Sequence, residues 1–299
     1  MNIDINTKFI TLIGTPLKQS FAARMQNAGY EAAGLNMVYF YTDTGDSHLE
    51  EIINGIRYMP SFAGCAVTKP NKVRVLEYLD ELDPLCEKMG ACNTVLRTPD
   101  NRLIGYNTDC MGFYKSIENE TDFSIGGSVC FCIGAGGAGR AICSALAFKG
   151  AGKVFITDRI ERNAFDLMDD INLNFGNVTE FVSFGDFSKV KDCSLVINAT
   201  GIGMGKTIGE SPMPAEYIDS SQFYFDACYN PSKTQFLINA ERKGCRILNG
   251  LGMSLYQGVA QIEIWTGQSA PVNAMRKELI RITRENQLNS VPVIEGRRK

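Results

Sequence analysis

Histidine is almost absent from this 299-residue chain; it occurs once, as His48, in the polar stretch GDSHLEE. That scarcity argues against chemistry built on a histidine nucleophile and against histidine metal ligation. Ten cysteines are present, but no two form a CxxC pair. Most, such as Cys65, Cys130, Cys132, Cys143 and Cys228, sit in apolar runs, where a free thiol behaves as a small buried hydrophobe. Cys130 and Cys132 would share one face of a strand, yet without histidine or further spaced cysteines the pattern predicts no metal site. No apolar run approaches the ~18 residues needed to span a membrane. The first residues, MNIDINTKF, have no signal-peptide pattern. The net charge of −3 shows none of the positive excess that nucleic-acid binding requires. These absences predict a soluble, cytoplasmic protein with no membrane, nucleic-acid or metal partner.

What is present is apolar material in regular blocks. The hydrophobic fraction is 44%, enough for a sizeable core, and the length suggests two domains or one large one. KFITLIG, MVYFYT and AGCAVT read as strands, separated by helices over 21–33 and 48–58 and followed by one over 72–82. CNTVLRTPDNRLIGYNTD reads as a hairpin turning at Pro99-Asp100-Asn101, with a helix over 111–118 leading out. A second alternating unit starts near Gly127: strands SVCFCIG, KVFITD, SLVINAT, FYFDACY and CRILNG, with helices over 138–148 and 162–175. Helices over 254–265 and 273–285 follow, then a polar tail, NSVPVIEGRRK. Strands alternating with helices predict an α/β protein with parallel sheets covered on both faces.

The sharpest local signal is CFCIGAGGAGRAICSALAFKG. Gly134, Gly136 and Gly139 fit GxGxxG between a buried strand and an apolar helix. Glycines at that spacing permit a tight turn, close approach of backbone to a pyrophosphate, and close helix–strand packing. Asp158 ends the next strand about 20 residues on, where a carboxylate binds the adenosine ribose hydroxyls. It would repel a 2′-phosphate, so the reading favours NAD. Arg159 and Arg162 lie close enough to accept that phosphate, which leaves NADP open.

Other polar clusters precede this loop. Ser20, between an apolar strand and a helix, either caps that helix or holds a ligand at its N-terminus. AVTKPNK places Thr68 and Lys72 at a strand end, where open α/β sheets bind ligands. Asn93, Thr108 and Asp109 follow. These residue types suit a polyhydroxylated molecule, and Lys72 with Asp109 suits proton transfer coupled to hydride transfer. The alternatives are an ordinary exposed first-turn lysine at Lys72 and a helix cap at Asp109.

Eight ordered motifs now resemble one family over nearly the whole chain: GTPLKQS with MQN, AVTKPNK, GACNT, GYNTDCMGF, GAGGAGRA, NATGIGM, DACYNPSKTQFL and GMSLYQG…WTG. Together they are similar to the shikimate/quinate dehydrogenases, closer to the quinate/shikimate branch. The resemblance implies two domains: a substrate-binding domain over 1–110 completed by 251–299, and a Rossmann-type NAD(P) domain over 111–250. It implies Lys72 and Asp109 as the catalytic pair, and Asn93, Thr108 and Gln257 on the ring hydroxyls. Thr68 would lie beside the substrate, with Ser20 and Tyr39 on its carboxylate. Gly134, Ala135, Gly136, Gly137, Ala138, Gly139, Asp158, Arg159, Thr200, Gly201 and Met204 would line the cofactor site. The partner implied is a small cyclic hydroxy acid, taken by a monomer or homodimer of the shikimate pathway.

Several positions depart from the pattern. The family usually carries H-S-x-S-P, whereas this chain reads Gln19-Ser20-Phe21-Ala22-Ala23, so the second hydroxyl is missing. Ala66 stands where the family often has asparagine. A lost hydrogen bond to a charged group is worth ~1.5–3 kcal/mol, tenfold to hundredfold in affinity, unless Lys18 or a water compensates. Asp158-Arg159-Ile160 replaces the Asn-Arg-Thr of NADP-preferring members. Three readings follow: a dehydrogenase of quinate or shikimate, one of another cyclic polyol, or a dinucleotide and metabolite sensor without turnover.

Overall fold

The computed structural model describes residues 3–17, 20–44 and 48–289. Lys18, Gln19 and the tail from Ser290 lie outside them. The chain runs β1 (Lys8–Gly14), α1 (Ala22–Ala32), β2 (Met37–Asp43), α2 (Leu49–Arg57), β3 (Phe62–Val67), β4 (Glu81–Leu82), α3 (Pro84–Met89), β5 (Thr94–Arg97), β6 (Leu103–Tyr106) and α4 (Thr108–Glu120). It continues with β7 (Val129–Ile133), α5 (Gly137–Phe148), β8 (Lys153–Thr157), α6 (Glu161–Phe175), β9 (Thr179–Phe181), β10 (Leu195–Asn198), β11 (Phe223–Asp226), α7 (Gln235–Arg242), β12 (Arg246–Asn249), α8 (Leu251–Thr266) and α9 (Val272–Asn289).

The strands form two six-stranded sheets. The first has the order β2-β1-β3-β5-β6-β4, parallel at β2-β1-β3 and antiparallel along β3-β5-β6. Its strands alternate between two cores. Ile10, Leu12, Tyr39 and Ala66 pack with side chains of α1, α8 and α9, such as Met25, Val259, Ile262 and Met275. Ile13, Cys65 and Val67 pack on the other face with Leu49 and Ile53 of α2. The last two helices therefore complete the first sheet.

The second sheet has the order β12-β11-β10-β7-β8-β9 and is parallel throughout. This is the doubly wound dinucleotide-binding order, with its switch point between β7 and β10. Cys130 and Cys132 face α4, α5 and α6, while Phe131 and Ile133 face the layer that includes α7. Both faces are covered, so these strands read as unbroken apolar runs. Each large side chain buried here contributes ~1.5–3 kcal/mol. Helix α4 carries Phe113 edge-on against Phe225, with ring centroids 4.9 Å apart.

The α/β architecture matches the sequence expectation, with local differences. The helix expected over 72–82 is a 3₁₀ turn over Arg74–Tyr78 followed by β4. Asp80 exchanges backbone hydrogen bonding with the strand beside it, its N–H donating to Leu103 O at 2.9 Å. Its carboxylate takes the Leu103 N–H at 2.7 Å. Pairing with β6 thus pulls the segment into extended form. The hairpin turn forms as expected, with Asn101 at φ +66°. Helix α4 starts before 111, and its cap is Asn107, whose Oδ1 accepts the Cys110 N–H. Asp109 is therefore not the cap; it lies in the first turn. The short elements α3, β9 and α7 carry no expectation from the periodicity. His48 is exposed at the start of α2, 3.7 Å from Glu51. No described helix is long and apolar enough to cross a membrane.

Candidate active site

A cleft of about 270 Å³ opens where the carboxyl ends of β1 and β3 meet α8. Ser20, Tyr39, Thr68, Lys72, Asn93 and Gln257, far apart in sequence, all line it. Lys72 Nζ donates to Asp109 Oδ2 at 2.6 Å. Lys72 is thus no free surface lysine: Asp109, delivered by the first turn of α4, holds its ammonium. The Cys92 N–H donates to Lys72 O at 2.8 Å and fixes the main chain beneath it.

Asn93 is 1% exposed, and its Nδ2 is buried without a partner. Its Oδ1 accepts from the Thr108 N–H at 2.7 Å, from Thr108 Oγ1 at 3.1 Å and from Thr94 Oγ1 at 2.9 Å. Those donors determine which end of the amide is oxygen and leave Nδ2 as the free donor. Thr108 is itself fully buried and does not line the cleft; its hydroxyl and N–H are spent on Asn93. Gln261, which the sequence reading did not single out, donates to Thr94 Oγ1 at 3.0 Å and accepts from Gln26 at 2.9 Å. Gln26 and Thr94 sit inside the quoted MQN and GACNT motifs, the one signal that could have flagged them.

Tyr39 presents a second orphan. Asn27 clamps its backbone on both sides, at 2.8 Å each, while its hydroxyl is buried without a partner. Burial pushes this phenol well above its ordinary value, so it stays protonated. Two unpaired polar atoms against one cleft call for a polar ligand, because an unmet buried donor costs ~1–3 kcal/mol. Tyr229, from the loop after β11, closes the rim edge-on to Phe21 at 5.9 Å. Burial pushes its phenol up to about 12.

The start of α1 differs from the sequence expectation. Phe21 is the N-cap and makes no side-chain cap bond. Ser20 Oγ accepts the Ala22 N–H at 3.3 Å, and Tyr41 OH accepts the Ala23 N–H at 3.1 Å while donating to Ser20 O. Two of the first helix N–H groups, those of Ala22 and Ala23, thus have partners within the protein. Ala22 and Ala66 both line the cleft, beside Leu12 and Met25.

A second cleft, about 790 Å³, runs along the carboxyl edge of the parallel sheet. Gly134 turns at φ +108°. A Cβ on Gly139 would sit 2.0 Å from Gly134 O, so only glycine lets α5 approach. A Cβ on Gly136 would meet nothing within 4 Å, leaving backbone open to a ligand. Helix α5 has no side-chain cap, so its first N–H groups face this space. Gly134, Gly136, Gly137, Ala138, Asp158, Arg159, Thr200, Gly201 and Met204 all line it. Ala135 and Gly139 stand behind the lining. Asp158 already accepts two backbone N–H groups, Ala135 on Oδ2 at 2.7 Å and Ile160 on Oδ1 at 2.8 Å. It buttresses the glycine loop as well as facing the cleft. Arg162 pairs with Asp166 on α6 and does not line the cleft. These features fit a dinucleotide. Among the described residues, no three His, Cys, Asp or Glu side chains gather where they could hold a metal ion.

Comparison with known proteins decides the family. The shikimate dehydrogenase substrate-binding domain matches residues 12–95, and the shikimate 5′-dehydrogenase C-terminal domain matches 250–280. A shikimate dehydrogenase (NADP(+)) of Moorella thermoacetica is 36% identical over 93% of this chain and 95% of its own. The chain belongs to the shikimate dehydrogenase family. Among solved members of the fold, the Listeria monocytogenes shikimate 5-dehydrogenase in complex with shikimate and NAD superposes with a TM-score of 0.88. It is 34% identical, over 93% of this chain and 98% of that one. A quinate dehydrogenase from Corynebacterium glutamicum in complex with NAD gives 0.86 at 29% identity, over 92% and 99%. A ligand-free 5-ketofructose reductase from Gluconobacter gives 0.85 at 31% identity, over 93% and 100%.

Proposed function

We propose that this family member is an oxidoreductase acting on CH–OH groups that interconverts shikimate or quinate with its 3-dehydro form. The observation that carries the reading is the 2.6 Å Lys72–Asp109 pair at a cleft whose Asn93 amide and Tyr39 hydroxyl lack partners. A bound nicotinamide would supply hydride exchange at the ring carbon. The chain's own residues do the rest. Lys72 Nζ, as the neutral amine, takes the hydroxyl proton as the carbonyl forms, and the resulting ammonium returns that proton in reverse. Asp109 keeps Nζ in place between turnovers. Asn93 Nδ2 donates to a ring hydroxyl, with Thr108 acting behind it to orient the amide, and Gln257 lines the same wall.

The first sheet with α8 and α9 would be the substrate unit, 1–110 with 251–299. Residues 111–250 would hold the dinucleotide. Asp158 favours NAD, through repulsion of a 2′-phosphate, although named relatives use NADP+. Formation of NADH or NADPH at alkaline pH, with quinate and shikimate offered separately, tests the reading. Turnover by the native chain supports it; dinucleotide binding without turnover on either acid overturns it.

A second reading has its own observation: methyl groups of Ala22 and Ala66 line the cleft where the family pattern places polar side chains. An uncharged polyol or ketose would suit that wall, and the similar 5-ketofructose reductase shows the fold on such a name. Turnover on an uncharged polyol in preference to both acids would select it.

A further inference from the structure

The segment Thr68–Lys72 stands between the two clefts. Thr68 and Lys72 line the substrate cleft, while Lys69 lines the dinucleotide cleft although it belongs to the first sheet's unit. Its main chain is held firmly. Lys69 O accepts the Thr15 N–H at 3.0 Å, and the Asn71 N–H donates to Thr68 O at 2.9 Å. The segment packs so closely on the end of β1 that a Cβ on Gly14 would lie 2.8 Å from Lys69 O. From that anchor the side chain crosses to the glycine loop. Its Cε lies 3.8 Å from where a Cβ on Gly137 would be, at the uncapped start of α5.

Two cations line this cleft among the described residues, Lys69 and Arg159. Arg159 follows β8, at the adenosine end. Lys69 sits at the glycine loop, and its ammonium makes no ion pair among the described residues. The helix end supplies only about half a positive charge, whereas a dinucleotide pyrophosphate carries two negative ones.

We propose that Lys69 pairs with the pyrophosphate of the bound dinucleotide, so that the substrate unit contributes directly to cofactor binding. The inference rests on the dinucleotide reading of this cleft. It gives the cofactor a grip on both units, and it sets that grip three residues from Lys72.

Calorimetric titration of the full chain with NAD and with ADP-ribose, without substrate, tests it. The variants are Lys69→Met, Lys69→Arg and Lys206→Met. Lys206 is an exposed cation on a short 3₁₀ turn near this cleft but outside its lining, so its variant measures the unspecific effect of one lost charge. Lys69→Met is expected to weaken both ligands about tenfold at low salt, or about 1.4 kcal/mol. The difference should shrink as salt rises, and Lys69→Arg should bind like the native chain. Equal losses in Lys69→Met and Lys206→Met, or no loss in Lys69→Met, overturn the inference while leaving the dinucleotide reading intact. Failure of the native chain to bind NAD, NADP or ADP-ribose overturns both.

Discussion

The dinucleotide cleft takes its shape from main chain. Gly134 turns, Gly136 leaves room and Gly139 admits the helix, all within six residues. The substrate cleft takes its shape from side chains delivered by β1, α1, β2, β3, the loops beside β5 and β11, and α8. A site made of backbone is intolerant of added atoms but indifferent to chemistry elsewhere. A site made of side chains tolerates substitution in the fold and loses function one group at a time. The two clefts should therefore fail differently.

The largest effect should come from Lys72→Ala. Turnover is expected to fall by ~10²–10⁴ with the calorimetric affinity for NAD and the unfolding midpoint nearly unchanged. Retained turnover would refute the assignment of Lys72. Gly139→Ala should do the converse, because its Cβ would sit 2.0 Å from Gly134 O. A stability loss of about 3 kcal/mol in urea, together with lost NAD binding, is the expected signature; a variant that binds NAD normally would show that the loop yields.

Smaller, and directed at the substrate side alone, is Ala22→Ser. If the substrate is a carboxylate, the restored hydroxyl should lower KM for quinate or shikimate roughly tenfold, without touching NAD affinity. An unchanged KM would favour the uncharged polyol.

The smallest contrast is in acid titration, with one carboxylate in each unit. Burial works to raise Asp80, but the Leu103 N–H and Arg57 outweigh it and hold its carboxyl below the usual range. Its contribution to stability is present above about pH 4 and lost as pH falls through the depressed value. Burial dominates at Asp226 and pushes it up, against donors from Thr234, the Cys228 N–H and Asn198. The sign reverses there: its contribution is present below about pH 4 and lost as pH rises through the raised value. Asp80→Asn should flatten the acid limb of stability against pH, and Asp226→Asn the decline just above pH 4. Identical profiles for both variants would contradict the assignment.

This contrast also explains what could be read from sequence. The glycine loop, its strand and its helix are one contiguous pattern, so GxGxxG with Asp158 located the second cleft. Lys72, Asn93 and Asp109 stood out as residue types near a strand end, beside the alternatives of a surface lysine and a helix cap; only resemblance to a family favoured the pair, since no periodicity says that residues 72 and 109 touch. Thr108, expected on the ring hydroxyls, instead spends its N–H and hydroxyl on Asn93, which no local pattern records. Gln261 gave no local sign, because its partners Thr94 and Gln26 lie on distant segments. The 72–82 helix was misread for a related reason: local pattern does not record that Asp80 pairs with Leu103. Helix α7 carried a usable mark, Thr234, whose hydroxyl accepts the Leu237 N–H. Its eight residues were too few for the periodicity to register.

The order in which the core of the first sheet is assembled has a consequence for biosynthesis. Ile10, Leu12 and Tyr39 emerge early from the ribosome, but Val259, Ile262, Trp265, Met275 and Leu279, which cover them, are made after the whole parallel sheet. The dinucleotide unit is contiguous in the chain and has its strands in hand while the earlier-made unit still shows a bare apolar face. The part synthesised first is thus the last to be finished. During that interval β1 and β2 are the segments a chaperone would have reason to hold.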